Sequence, residues 1–145
     1  MQSKTFAAKR ENLLEINAFL EGILEGYNFD IKKQMQLAIA VEELFTNVAD
    51  YAYGDGEGDV EVRVGLDDDG YVFVSLINGG EQFNPWEKED PDVKLPPEDR
   101  QIGGLGIYMV KQNVDKYDYE FKDGKNIVTI YKPILTSTYR VYESV

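Results

Sequence analysis

Val41-Glu42-Glu43-Leu44-Phe45-Thr46-Asn47 lies in the middle of a segment whose apolar residues recur at helical spacing. This periodicity predicts a helix from about Ile31 to Ala52, with Asp30 as a suitable N-cap and the glycine-rich stretch 54–58 after its end. The stripe expected to face the core consists of Leu37, Val41, Leu44, Phe45, Val48 and Ala52.

The polar face of the same helix carries the first candidate for chemistry. Glu43 and Asn47 are four residues apart, so they share a face of the helix, and Asp50 lies beside them. A carboxylate and an amide oxygen in that arrangement can accept a substrate proton and ligate a hard divalent cation. A solvated helix face is the alternative, and the spacing alone favours that alternative.

The remainder of the chain reads as further helices and hairpins around this helix. Helical spacing over 13–27 predicts a first helix, and period-two alternation over 60–66 and 71–77 predicts a hairpin. The acidic turn between those strands lacks the twelve-residue ligand pattern of a calcium loop. Residues 78–101 have no periodicity, a helix follows to about Asn113, and strands over 117–121 and 127–132 form a second hairpin. This order predicts an α+β fold with helices layered on one face of a mostly antiparallel sheet.

Composition limits the classes of function. The chain has 145 residues, which fits one domain, and 15 Lys and Arg against 27 Asp and Glu give a net charge of −12. Nucleic acid and anionic membrane are poor partners for such a charge. The absence of Cys and His excludes disulfides, thiolate nucleophiles and the Ser-His-Asp triad. With no apolar leader or membrane-spanning run, we expect a cytoplasmic protein without a membrane partner.

Two glycine-containing motifs are the other candidates. Ile77-Asn78-Gly79-Gly80 ends a predicted strand, where glycines let a ligand approach the backbone closely. Gly103-Gly104-Leu105-Gly106 directly precedes a helix, and free amides at a helix N-terminus suit a phosphate. Each motif alone is a weak signal, because an ordinary turn explains it equally well.

Together, and in this order, the three motifs resemble those of the Bergerat-fold (GHKL) ATPases, and more narrowly the anti-sigma-factor serine/threonine kinases. The matching stretches are 41–47, 77–85 and 100–110, within a core of about 6–132. The resemblance implies a single histidine kinase-like ATPase domain over 1–145, with 133–145 as a C-terminal extension. It further implies a two-layer sandwich of about three helices on an antiparallel sheet, with a mobile ATP lid over 85–102.

The resemblance also implies roles for individual residues. Glu43 would be the general base that takes the proton from the attacking hydroxyl, and Asn47 would bind the Mg²⁺ that bridges the phosphates of ATP or ADP. The remaining nucleotide-binding residues would be Asp50, Asn78, Gly80, Gly103, Gly104, Leu105, Gly106 and Thr129. Among these, Gly104 and Gly106 would offer backbone amides to phosphate oxygens, and Thr129 would lie on the strand beneath the base. Arg100 lies where a cation of the lid could reach the γ-phosphate.

Asn78 departs from the family pattern, which normally has Asp at this position to accept a hydrogen bond from the adenine amino group. An Asn can still accept through its amide oxygen, but without charge assistance the loss is about 1 kcal/mol, or about fivefold in affinity. Because an amide can also donate, a guanine carbonyl becomes conceivable. Weaker discrimination in favour of ATP is therefore expected, with Asn78→Asp restoring it.

The partners implied by the resemblance are a STAS-domain anti-anti-sigma protein, phosphorylated on a serine, and a sigma factor that the kinase sequesters. A homodimer is a further expectation from the resemblance. A nucleotide-gated binding module with little or no kinase turnover is the alternative function. A two-component sensor domain is disfavoured because the chain has no phospho-acceptor His.

Overall fold

The helices all form one layer of the structure. A computed structural model describes residues 1–27, 29–90, 94 and 105–134. Its α-helices are α1 (Leu13–Glu25), α2 (Ile31–Tyr51) and α3 (Leu105–Asn113). Short 3-10 helices lie at Arg10–Asn12 and Pro85–Glu87. The Asp30 side chain accepts a hydrogen bond from the Lys32 amide, so it caps α2 as its sequence position predicts.

The second layer is a sheet of five strands. These are β1 (Gln2–Ala7), β2 (Asp59–Leu66), β3 (Tyr71–Asn78), β4 (Lys116–Lys122) and β5 (Lys125–Pro133). The order in the sheet is β1-β2-β3-β5-β4, and every neighbouring pair is antiparallel. β3 and β5 are neighbours in the sheet. Their register places Leu76 opposite Val128 and Asn78 opposite Asn126.

Alternation along the strands separates the two faces of the sheet. One face carries the valines of β2, together with Leu76 and Val128 from the central pair, and these residues pack against the helices. The helices contribute a buried stripe to the same core: Ile16, Leu20, Leu24, Leu37, Val41, Leu44 and Phe45. The core therefore lies between the helix layer and one face of the sheet, and no helix of the described residues packs on the other face.

The predicted α+β sandwich, its three helices and both hairpins are confirmed. The acidic segment after β2 is a hairpin turn, in which Gly70 has a positive φ of 85° and the Asp67 carboxylate accepts hydrogen bonds from the amides of Asp69 and Tyr71. The N-terminal strand β1 and the two short 3-10 helices were not predicted. Residues 135–145, most of the predicted extension, lie outside the described residues. No helix in the described ranges is long and apolar enough to cross a membrane.

Candidate functional site

A cavity of about 360 Å³ lies between α2 and the adjoining ends of β3 and β5. Its apolar walls come from one side of α2, through Leu44 and Val48, and from the paired residues Leu76 and Val128 of the sheet. The remaining lining residues come from α2, from the strand ends and from the loop after β3: Asn47, Tyr51, Ala52, Asn78, Glu81, Gln82, Phe83, Pro85, Lys88 and Asn126. Apolar walls with a few convergent amides are typical of a site for a planar ligand with polar edges.

Asn78 and Asn126 form a buried pair at the floor of this cavity. They are 5% and 2% exposed, respectively. The Asn126 Nδ2 donates to Asn78 Oδ1 at 3.1 Å, and the Gly80 amide donates to the same oxygen at 3.0 Å. The amide oxygen of Asn78 is therefore occupied by two donors from the protein.

The orientation of Asn126 is fixed by its own neighbours. Its Oδ1 accepts hydrogen bonds from the Phe83 amide at 2.9 Å and the Tyr119 hydroxyl at 2.6 Å. Its Nδ2 donates to the Glu81 carbonyl at 3.0 Å. Burial raises the pKa of Tyr119, so this hydroxyl remains protonated and acts as the donor. Only one orientation of the Asn126 amide satisfies these groups, because its oxygen must face the two donors and its nitrogen must face the Glu81 carbonyl.

Gly80 brings the loop after β3 against the end of α2. A Cβ at this position would overlap the carbonyl oxygen of Ala52 and lie 2.8 Å from its carbonyl carbon and its Cβ. The Glu81 amide donates to that same Ala52 carbonyl at 3.1 Å. Gly80 itself is absent from the cavity lining, but it permits the close approach that shapes the cavity and holds Asn78.

Glu43 and Asn47 occupy adjacent turns of α2, and the structure gives them different surroundings. Asn47 lines the cavity. Glu43 lies against the first turn of α3, where a Cβ added to Gly106 would be 2.5 Å from its Oε2 atom. The Glu43 carboxylate thus lies beside the start of α3. The first backbone amides of a helix have no partner within the helix. The sequence predicts a phosphate in this region.

Asp50, the third polar residue of that face, is engaged elsewhere. Its carboxylate accepts a hydrogen bond from Arg10 Nε at 2.9 Å and a second from the same guanidinium, and it does not line the cavity. This partner holds the pKa of Asp50 below its ordinary value. A role for Asp50 in nucleotide binding stays a prediction, and the ion pair supports a structural link between α2 and the segment before α1.

Thr129 lies on β5 as predicted, but its side chain is on the opposite face of the sheet from the cavity. Its Oγ1 and the Ser75 Oγ are 2.7 Å apart, in register on neighbouring strands. Two other predicted residues, Gly103 and Gly104, lie outside the described residues, as do Arg100, the Leu105 side chain and most of the predicted lid. Their roles stay predictions.

Asn126 is the residue that the sequence analysis missed. Strand alternation could have found it, because residues 126, 128 and 130 share a face, and Val128 and Ile130 are core residues. The first part of the loop after β3 is also more ordered than its composition indicates. Asn84 caps the second 3-10 helix, and the Trp86 indole donates to the Asp118 carbonyl at 2.8 Å.

Known proteins resemble this chain in sequence and in fold. The family model of the histidine kinase-like ATPase domain matches residues 6–132. Two curated relatives are named serine-protein kinase RsbW. The one from Oceanobacillus iheyensis is 26% identical over 118 residues, which cover 74% of this chain and 71% of that protein. The one from Bacillus cereus (strain B4264) is 26% identical over 124 residues, which cover 83% and 78%, respectively.

Two solved structures have the same fold. The structure of the RsbU and RsbW domains of Rv1364c from Mycobacterium tuberculosis has a TM-score of 0.64 and 17% identity, and the match covers 92% of this chain. A blue-light activated histidine kinase, EL346 from Erythrobacter litoralis, has a TM-score of 0.55 and 18% identity, over 76% of this chain. This chain spans about a third of each of those longer chains (33%), and the likeness to them shows the fold alone.

Proposed function

Because the chain belongs to the histidine kinase-like ATPase domain family, we propose that it is an ATP-binding serine/threonine-protein kinase of the anti-sigma factor type. Its substrate is a serine on a STAS-domain anti-anti-sigma protein, and its client is a sigma factor that it sequesters in the cytoplasm. The relatives named serine-protein kinase RsbW support this proposal.

The observation that carries the proposal is the position of Glu43 against Gly106, one helical turn from Asn47 at the cavity. This arrangement connects a base-sized apolar cavity to the start of α3. In the proposed complex the purine lies between Leu44 and Val48 on one side and Leu76 and Val128 on the other, the apolar residues that line the cavity. The triphosphate then extends toward α3, where backbone amides at the helix start favour an anion.

The site residues also suit a magnesium ion carried in with the nucleotide. Mg²⁺ keeps several waters and is held by one or two protein oxygens together with substrate phosphates. Within the described ranges there is no group of three or more acidic residues that would form a metal cage, and Asn47 offers one amide oxygen at the cavity. When bound, such an ion neutralises phosphate charge. Asn47 would hold it, and Asp50 is already paired with Arg10.

In the proposed reaction, Glu43 accepts the proton of the substrate serine hydroxyl as that oxygen attacks the γ-phosphorus. The bond between the γ-phosphorus and the bridging oxygen of ADP breaks, and ADP leaves with the bridging electron pair. Phosphoryl transfer depends mainly on position and charge neutralisation, so the absence of His is no obstacle.

The test is Glu43→Gln, with Glu42→Gln as the matched control. Glu42 is the exposed neighbour on α2, so both variants lose one negative charge and differ only in which face of the helix changes. We expect Glu43→Gln to bind ATP as the parent does and to lose about 10²–10⁴-fold in phosphotransfer rate. We expect Glu42→Gln to retain both properties.

The assay incubates each protein with ATP, Mg²⁺ and STAS-domain proteins of the same organism, and measures phosphoserine by mass spectrometry. A Glu43→Gln variant with the parental rate would refute the role of Glu43. Nucleotide-dependent binding of the partner without phosphoserine would favour the alternative, a nucleotide-gated binding module. Sedimentation of the chain with and without ATP tests the proposed homodimer.

A further inference from the structure

The polar floor of the cavity presents a hydrogen-bond donor to its ligand. Asn78 accepts two hydrogen bonds through Oδ1, from the Gly80 amide and from Asn126 Nδ2, and its Nδ2 makes no hydrogen bond to the described residues. In the described part of the chain, Asn17 Oδ1 is the one fully buried polar side-chain atom that has no hydrogen-bond partner. Asn78 Nδ2 is not such an atom, although it also lacks a partner among these residues. The Nδ2 of Asn78 therefore retains accessible surface. Asn78 shares a face of β3 with Leu76, which lines the cavity, so we place Nδ2 toward the cavity.

The Asn78 amide cannot turn over to present its oxygen instead. A reversed amide would place Nδ2 against the Gly80 N–H and against the Asn126 Nδ2, so that donors alone would converge. Asn126 cannot relieve this conflict by turning as well. The Phe83 amide and the Glu81 carbonyl fix it from opposite sides. Leaving these buried groups unpaired costs more than one ligand hydrogen bond returns.

A donor at this point distinguishes purines by the group at position 6. Adenine carries an amino group there, which also donates, so it would meet Asn78 Nδ2 donor to donor. Hypoxanthine and guanine carry a carbonyl oxygen there, which accepts. We infer that Asn78, held by Gly80 and Asn126, makes this cavity favour 6-oxopurine nucleotides over adenine nucleotides.

This inference rests on the proposed function, because it assumes that a purine nucleoside triphosphate occupies the cavity with position 6 of its base against Asn78, the orientation that the family resemblance implies. It concerns only the preference between bases. The apolar walls still accept adenine, and the ring nitrogen N1 of adenine is an acceptor beside the amino group. The preference is therefore expected to be about tenfold, the effect of one hydrogen bond, and ATP remains a ligand.

Inosine triphosphate and ATP are the sharpest pair of ligands for the test. They share ribose and triphosphate and differ only in the group at position 6 and the proton on N1. Calorimetric titration with Mg²⁺ should show inosine triphosphate bound about tenfold more tightly than ATP. GTP should share the preference wherever its 2-amino group fits.

The Asn78→Asp variant replaces the hydrogen-bond donor that faces the ligand with an acceptor, in a side chain of the same shape. One carboxylate oxygen keeps the donors Gly80 N–H and Asn126 Nδ2, and the other replaces Nδ2 with an acceptor. We expect the ratio of the two affinities to reverse, so that ATP binds about tenfold more tightly than inosine triphosphate. The control is Gln112→Glu, which adds the same charge at an exposed position of α3 outside the cavity lining. This control should leave the ratio unchanged.

The outcomes separate the inference from the proposed function. If the parent protein binds ATP as tightly as inosine triphosphate, or more tightly, the inference is overturned and nucleotide binding stands. If Asn78→Asp binds nucleotide with an unchanged ratio, Asn78 does not set the preference and the inference is also overturned. If no purine nucleotide binds at millimolar concentration, the inference and the proposed function fail together. The ratio in the parent decides the question even if the variant does not fold.

Discussion

Gly80 is the position at which a single added methyl group tests the geometry of the site. In Gly80→Ala the new Cβ would overlap the Ala52 carbonyl oxygen and lie 2.8 Å from its carbonyl carbon. Both atoms belong to the backbone just after α2, so no side-chain rotation relieves the overlap. The loop after β3 must move away from the helix instead.

The cost of that movement follows from the contacts that the loop makes. Moving it strains or breaks the 3.1 Å hydrogen bond from the Glu81 amide to Ala52 and the 3.0 Å bond from the Gly80 amide to Asn78. Overpacking typically costs about 1–3 kcal/mol, and a net hydrogen bond about 1 kcal/mol. A gain of about 0.4–1 kcal/mol from the stiffer unfolded chain offsets part of this. We therefore expect the free energy of unfolding to fall by about 2–4 kcal/mol.

The neighbouring residue supplies the control. A Cβ at Gly79 has no atom within 4 Å, and its backbone φ is outside the positive region. The Gly79 amide can go on donating to the Tyr53 hydroxyl at 2.9 Å after substitution by Ala. Gly79→Ala should therefore change the free energy of unfolding by no more than about 0.5–1 kcal/mol, in the stabilising direction.

Urea denaturation of the two variants measures the difference, and a thermal melt gives it independently. For a chain of this size, a loss of about 2–4 kcal/mol corresponds to about 4–16 °C in Tm. Calorimetry should also show weaker nucleotide binding in Gly80→Ala, because Asn78 loses one of its anchors. Equal stability of Gly80→Ala and Gly79→Ala would refute the reasoning, since it would mean that the loop does not lie against Ala52.

Two further substitutions test the helix face that carries Glu43. Gly106→Ala places a Cβ 2.5 Å from the Glu43 Oε2, the flexible end of a side chain, so Glu43 turns away while the fold persists. We expect unchanged or higher stability, by up to about 1 kcal/mol from helix propensity, together with a reduced phosphotransfer rate. Asp50→Asn removes a carboxylate whose pKa is lowered by Arg10, so the parent's advantage is present above the ordinary Asp pKa and is lost as pH falls through the folded pKa. Urea denaturation between pH 3 and 7 should show an advantage below about 1 kcal/mol, since the pair is exposed.

A control variant and specific outcomes can contradict each of these two predictions. Gly22 in α1 has open space around its Cβ position, so Gly22→Ala should raise stability without any effect on phosphotransfer. A Gly106→Ala variant with the parental phosphotransfer rate would show that the approach of Glu43 to α3 has no catalytic role. For Asp50, a stability difference that is constant with pH, or unaffected by high salt, would mean that the ion pair contributes nothing.

The long elements could be predicted from sequence because their periodicity is strong. β1 could not, because five of its six residues are exposed and only Phe6 is buried. An edge strand with one buried side chain leaves almost no alternation to detect, and it forms because β2 offers it an open edge. Its presence depends on pairing with a strand more than fifty residues away in sequence.

The candidate site likewise contains features that the sequence predicts and features that it does not. Glu43 and Asn47 could be predicted because both lie on one helix, where spacing alone determines which residues share a face. Asn126 and Thr129 both lie on β5, and alternation along that strand places them on opposite faces of the sheet, with Asn126 on the face of the core residues Val128 and Ile130. The position of Asn126 opposite Asn78 depends on the register between β5 and β3. That register follows from contacts between distant segments and not from the sequence of β5.

Asn126 explains why the floor of the cavity and the loop above it form one unit. The same side chain holds Asn78 at the floor through Nδ2 and the Phe83 amide in the loop through Oδ1. Trp86 then ties the next part of the loop to β4 through the Asp118 carbonyl. A ligand that hydrogen-bonds to Asn78 therefore contacts a network that continues into the residues leading toward the predicted lid. Because buried hydrogen bonds polarise and constrain one another, the floor of the cavity and the first part of this loop are held by one network that passes through Asn126.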